Sequence, residues 1–400
     1  NRGSHRSVPP RSASKTQILV ARVVVGLSGG VDSSVAALLM QQAGHEVIGI
    51  FMRNWNDASP TLEDECPWIE DSNDALLVAE RLGIPFQVLD LSVEYKERIV
   101  DYMFAEYEAG RTPNPDVLCN REIKFDLFLN AARRLGADFV ATGHYARVER
   151  DAEGRMHLRA GLDAGKDQSY FLCQLTQEQL RHARFPIGGL QKSEVRRLAA
   201  EAGLITAAKK DSQGLCFIGH VRLPDFLQQQ LKPKTGRIIE IPRDAPVLER
   251  AKPGAPWGFV PEDGVEVGSH HGAHYFTVGQ RKGLLVGGKP LPLFVLATDV
   301  VQNTVYVGQG EDHPGLYRSA LWIDSADVHW VQPWRALIAG DSADFLVRIR
   351  YRQALVPARL RADEGGLWVE FSKPMKAVAP GQFAAWYDGD DLVGSGVIKN

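Results

Sequence analysis

The 400-residue sequence has little cysteine: Cys66, Cys119, Cys173 and Cys216, with no two in a CxxC pair. That spacing argues against a zinc ribbon and against a thioredoxin-type site. No apolar run approaches the ~18 residues that a membrane span requires. Ile18–Leu27 reads instead as a buried strand. No signal-peptide-like hydrophobic segment is present either, and a cytoplasmic protein without a membrane partner is expected. There is no excess of basic charge, since the formal net charge is −3. A bulk nucleic-acid packager is thereby disfavoured, although an RNA enzyme with a local basic face is not. The length exceeds what one core usually holds, so two or three domains are expected.

Residues 1–17 carry Arg2, Arg6, Arg11 and Lys15 but no acid. They read as a disordered tail or a cloning remnant, outside the fold. From 18 to 220, apolar β-branched runs (Ile18–Val25, Val47–Met52, Phe86–Leu89, Phe139–Ala141) alternate with helical patterns (Ser34–Gly44, Asp74–Gly83, Val93–Gly110, Ile123–Gly136). Each helical pattern stops at glycine. This alternation predicts an α/β fold with a doubly wound parallel sheet, whose ligands sit at the carboxyl ends of the strands. Ala146–Ala160 predicts a hairpin on the edge of that domain, and Ser193–Gly203 one more helix. Residues 221–290 read as a small central domain with a loop-heavy insertion at Ile241–Gly264. Residues 291–400, with short strands at regular spacing, read as a C-terminal antiparallel β-barrel. His270, His271 and His274 read as a surface loop and not a metal site, because no carboxylate or cysteine set completes them.

The chemistry-bearing stretch is Gly26-Leu-Ser-Gly-Gly-Val-Asp-Ser-Ser34, placed between a strand and a helix. Its glycines let backbone N–H groups face inward, the helix N-terminus adds positive dipole, and Ser33 and Ser34 add hydroxyls; together these suit pyrophosphate. The spacing is neither a Walker A loop nor a Rossmann fingerprint. Two further strings hold cysteines. In Thr112-Pro-Asn-Pro-Asp-Val-Leu-Cys-Asn120 the prolines set a rigid entry to a helix, Cys119 lies near its N-terminus where a thiolate is stabilised, and Asp116 stands one turn before it as a candidate acid or base. In Lys209-Lys-Asp-Ser-Gln-Gly-Leu-Cys-Phe-Ile-Gly219 two lysines stand near Cys216. A pair of such cysteines suits sulfur transfer: one carries a persulfide and the other attacks it. Cys173, within Ser-Tyr-Phe-Leu-Cys-Gln-Leu, reads as a core residue.

The loop at 28–34 resembles the PP-loop of ATP pyrophosphatases, which leaves amide formation, argininosuccinate-type ligation, lysine addition to tRNA and thiolation open. The whole set of strings resembles the bacterial tRNA-specific 2-thiouridylase family: the loop, Thr112–Asn120, Ala141–Ala146, Lys166–Leu172, Asp211–Gly219, Gly279–Gly283 and Tyr351–Gln353 in this order. Ile241–Gly264, Pro314–Arg318 and Cys66-Pro-Trp-Ile-Glu-Asp resemble most its Bacteroidetes branch. The resemblance implies ATP-dependent activation of the wobble uridine 2-oxygen in tRNA for Lys, Glu and Gln, and its replacement by sulfur. It implies ATP on Gly26, Leu27, Ser28, Gly29, Gly30, Val31, Asp32, Ser33, Met52 and Gly143, with Mg²⁺ near Asp32 and no protein-only metal site. It implies the target base on Asn114, Pro115 and Asp116, with Asp116 the acid/base. Cys216 would receive the persulfide, and Cys119 would release sulfide or close a Cys119–Cys216 disulfide. The tRNA would lie on His144, Lys166, Asp167, Gln168, Arg350, Tyr351 and Gln382. A persulfide donor, a cysteine desulfurase or a relay protein, is implied, and a monomer is expected.

Overall fold

The structure, a computed structural model, describes residues 20–55, 67–211, 226–228, 230–250 and 254–399. The first apolar run forms β1 (Arg22–Gly26), in which Val23, Val24 and Val25 are wholly buried. Successive side chains of a strand point to opposite faces. Val24 therefore joins Ile99, Phe125 and Phe128 on one side, while Val23 and Val25 join Val35, Ala79 and Val195 on the other. A strand buried on both faces must be central, and β1 is. The sheet runs β3 (Phe86–Asp90), β2 (Glu46–Arg53), β1, β4 (Phe139–Ala141), β7 (Ala183–Arg184), all parallel. The two-residue β7 is too short to leave a periodic signal.

On one face lie α1 (Val31–Gln42) and α2 (Pro67–Leu82). The second starts a full turn and more before the expected Asp74, with proline at its first position, where the missing N–H costs nothing. Across the sheet, α3 (Ser92–Tyr95) passes through π-helical Lys96–Val100 into α4 (Asp101–Glu108). Likewise α5 (Pro115–Leu118) passes through π-helical Cys119–Phe128 into α6 (Leu129–Arg134). After them come α7 (Gln177–His182) and α8 (Lys192–Glu201). The expected glycine stops hold: Gly44, Gly83, Gly110 and Gly136 have φ between +64° and +85°.

Two segments belong elsewhere than the sequence suggested. The hairpin β5 (Ala146–Arg150) and β6 (Met156–Ala160) is not an edge of the parallel sheet. It pairs with the last strand, Asp391 opposite Arg159 and Leu392 opposite Leu158. Its Met156 and Leu158 are buried against the C-terminal region, a partner that local alternation cannot name. The second segment is 291–309. Its strands β10 (Leu293–Asp299) and β11 (Thr304–Gln309) do not open the C-terminal sheet but complete the central one, in the order β10-β11-β8-β9 with β8 (Gly236–Glu240) and β9 (Val265–His270). The boundary at 290 thus moves beyond Gln309. Between β8 and β9, the Ile241–Gly264 segment packs Ile241, Ala245 and Phe259 on Leu296 and Tyr306.

The remaining strands are β12 (Tyr317–Asp324), β13 (Val328–Trp330), β14 (Ser342–Arg348), β15 (Val356–Asp363), β16 (Gly366–Lys376), β17 (Phe383–Asp388) and β18 (Asp391–Val397). With β5 and β6 they make a nine-stranded antiparallel sheet around Trp386, Leu360 and Val369. Among the described residues no helix is long and apolar enough to cross a membrane. His270 is not on the surface as expected: it is 4% exposed, accepts a hydrogen bond from the Gly272 amide and meets Phe276 edge-on.

Candidate active site

The chain leaves β1 at Gly26 and enters α1 at Val31, so the loop lies at the carboxyl edge of the central strand. Gly30 is the N-cap and has no side chain with which to cap. The first N–H groups of the helix therefore lack intrahelical acceptors and face outward with the positive end of the dipole. Gly29 has φ +75° and lies so close to the Asp71 backbone that a Cβ would overlap it. The hydroxyls expected to donate to phosphate are occupied in holding the loop. Ser33 Oγ and Ser34 Oγ donate to the Gly30 carbonyl at 3.1 and 2.7 Å, and the Ser28 amide donates to Ser33 Oγ at 3.1 Å. Thr206 in turn donates to Ser34 Oγ at 2.9 Å.

Met52 and Gly143, both called from position alone, flank this loop. The Met52 methyl would be 3.2 Å from a Cβ on Gly26, and a Cβ on Gly143 would lie 2.6 Å from the Ser33 amide. Leu27 and Val31 are buried in the core beneath it.

Asp32 gathers a set of residues that no spacing rule singled out. Its carboxylate receives the Tyr145 hydroxyl at 2.8 Å and the Lys192 ammonium at 2.7 and 2.9 Å. Lys192 also lies 2.9 Å from Asp211, which holds Lys166 at 2.7 Å and Arg196 at 2.8 Å. Those cations bring the Asp211 carboxyl down to about 2, against the opposing effect of its partial burial. Asp71 and Asp74 of α2 bind Lys209. Only Tyr145 carried a sequence signal, as part of the Ala141–Ala146 string. Lys192 and Arg196 merely open a helix.

The Thr112–Asn120 string behaves as its prolines suggest. Asn114 caps α5, accepting the Val117 amide at 3.3 Å, and Pro115 is the first helical residue. Cys119, however, is fully buried, and burial pushes its thiol up to about 11; Asp116 pushes the same way, while Lys124 and a Tyr95 hydrogen bond only partly offset them. The stabilised thiolate expected at a helix N-terminus is absent, because desolvation outweighs the dipole so far into the first turns. The helix that begins with Cys119 reaches the nucleotide loop through Phe128, whose ring would be 3.4 Å from a Cβ on Gly26. Cys216 lies outside the described residues. Cys173 is wholly buried, as a core residue should be.

Five strings far apart in sequence meet beside Asn114. Gln382 Nε2 donates to the Thr112 and Pro113 carbonyls at 3.0 and 3.2 Å, and Asn114 Nδ2 donates to Gln382 Oε1 at 3.4 Å. Asn120 Nδ2 donates to the Phe171 carbonyl at 3.0 Å, and the Phe171 ring lies 4.4 Å from Tyr351. Arg350, whose guanidinium is lowered from its ordinary value by burial, donates to the Val278 and Ala377 carbonyls at 3.0 and 2.7 Å, next to the Gly279–Gly283 string. Lys166 and Gln168 are half-buried, and Gln168 accepts the Tyr145 amide at 3.0 Å. Asp167 is buried, accepts the Gly161 and Ser169 amides and lies 3.1 Å from Arg348. His144 is buried and held well below its ordinary value, hence neutral, with Nδ1 2.7 Å from Thr142 Oγ1.

Comparison with known proteins agrees with this layout. Residues 21–220 match the tRNA methyl transferase HUP domain, 224–309 the tRNA methyl transferase PRC-barrel domain and 322–398 the aminomethyltransferase beta-barrel domain. The tRNA-specific 2-thiouridylase MnmA of Christiangramia forsetii is 58% identical over 393 residues, covering 94% of this chain and 100% of that protein. That of Flavobacterium johnsoniae is 59% identical over 393 residues with the same coverage. That of Karelsulcia muelleri is 45% identical over 384 residues, 94% of this chain and 98% of that protein. Identity of this depth along all three regions, including the loop at Asp32 and the cap at Asn114, means that the chain belongs to the tRNA-specific 2-thiouridylase family.

Proposed function

We propose that this protein activates the 2-oxygen of a wobble uridine in tRNA with ATP and exchanges that oxygen for sulfur. The observation that carries the reading is the uncapped N-terminus of α1 facing the Asp32 cluster, with the Cys119 helix packed through Phe128 against the same loop. Gly26–Ser33, Met52 and Gly143 then bind ATP, and the free amides of α1 take its phosphates. The residues fit Mg²⁺ held mainly by phosphate oxygens and water, with Asp32 the loop's own carboxylate; such an ion neutralises phosphate charge.

In the chemistry proposed, the uracil leaves the anticodon stack and rests against Asn114, Pro115 and Asp116. Its 2-oxygen attacks the α-phosphorus; the bond to the bridging oxygen breaks and pyrophosphate leaves with the electron pair. The terminal sulfur of a persulfide on Cys216 attacks carbon 2, and AMP departs. Cys119, as thiolate, then attacks the Cys216 sulfur; the sulfur–sulfur bond breaks, the thiocarbonyl is released and a Cys119–Cys216 disulfide remains. Asp116, within the electrostatic reach of Cys119, is the residue to take that thiol's proton. Lys166, Asp167, Gln168, His144, Arg350, Tyr351 and Gln382 are proposed to hold or to shape the tRNA surface. A persulfide donor supplies Cys216, and the protein works in the cytoplasm as a monomer.

The test is single-turnover thiolation of unmodified tRNA with ATP, Mg²⁺ and a persulfide source, for wild type, Cys119→Ser and Cys216→Ser. Thiouridine and AMP from the wild type, with AMP but no thiouridine from Cys216→Ser, supports the proposal. Amide or lysine transfer that survives both substitutions would reassign the chain to a ligase reaction.

A further inference from the structure

Lys192 is the cation that touches the nucleotide loop, and its surroundings do not need it. Its main-chain amide is fixed by Asp163 at 3.0 Å at the start of α8, which leaves a four-carbon stem free to swing. Its ammonium, on a side chain only 12% exposed, sits between Asp32 and Asp211. Remove it, and Asp211 still has Lys166 at 2.7 Å and Arg196 at 2.8 Å. Asp32 still has the Tyr145 hydroxyl at 2.8 Å. A structural ion pair is one whose loss strands a charge, and this one strands none. The ammonium also stands on the second residue of α1, inside the first turn, beside the uncapped amides that suit phosphate.

We infer that Lys192 is a ligand of the β- and γ-phosphates of ATP and stabilises pyrophosphate as it leaves, turning from the carboxylates to the phosphate oxygens when nucleotide binds. Lys192 stays protonated throughout. The electron pair of the broken α-phosphorus–oxygen bond goes to pyrophosphate, and the ammonium lies where that charge grows. The inference rests on the reading that the loop takes ATP. AMP lacks the groups that Lys192 would hold, so comparing the two nucleotides isolates it.

The experiment measures binding of ATP and of AMP, each with Mg²⁺, to the full chain by calorimetry, together with tRNA-dependent ATP–pyrophosphate exchange. Lys192→Met is expected to weaken ATP by roughly tenfold to a hundredfold, the scale of one charge-assisted contact, and to leave AMP unchanged. Exchange should fall at least as far, and Lys192→Arg should recover part of the ATP-over-AMP preference. Equal weakening of both nucleotides, or an ATP-to-AMP ratio equal to that of the wild type, overturns the inference. If Lys192→Met does not fold, the ratio in Lys192→Arg and Lys192→Gln decides in the same way. A wild type that does not bind ATP removes the ATP reading itself, whereas a wild type that prefers ATP beside an equally selective Lys192→Met removes only the role of Lys192.

Discussion

Gln382 and Asn114 meet across most of the chain: Asn114 Nδ2 donates to Gln382 Oε1 at 3.4 Å, while Gln382 Nε2 holds the two carbonyls just before Asn114. The Thr112 amide is likewise taken by the Pro380 carbonyl at 2.8 Å. The C-terminal sheet thus fixes the entry to the helix that bears Asp116 and Cys119. Gln382→Ala removes contacts worth about 1–3 kcal/mol in sum. The expected outcome is a small drop in melting temperature with a larger loss, about tenfold, in thiolation, since positioning errors act on rate. Gln382→Glu should not rescue it, because a carboxylate has no N–H for the Thr112 and Pro113 carbonyls.

Cys119 should be slow to alkylate. Its folded value of about 11 lies above the ordinary 9.0, so the folded chain favours the thiol. Its contribution to stability is complete below about 9 and is lost as pH rises toward about 11. Iodoacetamide labelling of the native protein, read by peptide mass spectrometry, is expected to rise with pH toward that upper value. In urea the same cysteine should titrate near 9. Fast labelling of Cys119 in the native protein at pH 7 would contradict the burial described here. The attack on Cys216 then requires the proton to leave, and Asp116→Asn should lower the thiolation rate more at pH 7 than at pH 9.

The parallel domain was legible because its strands are buried on both faces and its helices end at glycine, both local signals. Val24 and Gly136 say as much alone as they do in the fold. What stayed hidden depends on distant partners. Leu158 alternates like any edge strand, and nothing near it states that Leu392 is its neighbour. Phe294 and Tyr306 carry strand propensity, but not the information that their sheet includes Ile239. At the site, the loop was readable because glycine and serine at a helix start have a physical meaning. Lys192 was not, because a lysine at the start of a helix means nothing until Asp32 and Asp211 are seen on either side of it. Cys119 was misjudged for the same reason: its position in a helix is local, whereas the burial that sets its pKa is not.

Asp167 and Arg348 form an ion pair whose side chains are 5% and 10% exposed. The pair ties the Lys166–Leu172 string to β14. Asp167 has too little surface to reach an RNA in this arrangement, so its first task is to orient Lys166 and Gln168. Arg348→Met leaves a buried carboxylate behind and is expected to cost about 3–5 kcal/mol. Asp167→Asn should cost less, since an amide tolerates the site uncharged. The double substitution should cost less than the sum of the two, because the same interaction is removed once. Urea denaturation of the four proteins measures this, and additive costs would show that the pair is not coupled.

Gly143 offers a change confined to the nucleotide loop. An alanine Cβ would stand 2.6 Å from the Asp32 carbonyl carbon and from the Ser33 amide nitrogen, too close for either to stay. Those atoms belong to the first turn of α1, which is fixed by Ser33, Ser34 and Thr206, so the turn moves as a unit or the β4 end gives way. Overpacking of this kind costs about 1–3 kcal/mol. If the turn moves, its amides lose their aim at the phosphates. Gly143→Ala is then expected to weaken ATP at least tenfold, while AMP, with less phosphate to place, suffers less. Gly189→Ala, where a Cβ meets nothing within 4 Å, is the matched control and should leave both nucleotides as they were. Equal ATP affinity in Gly143→Ala and Gly189→Ala would mean that the contact between the β4 end and α1 does not position the loop.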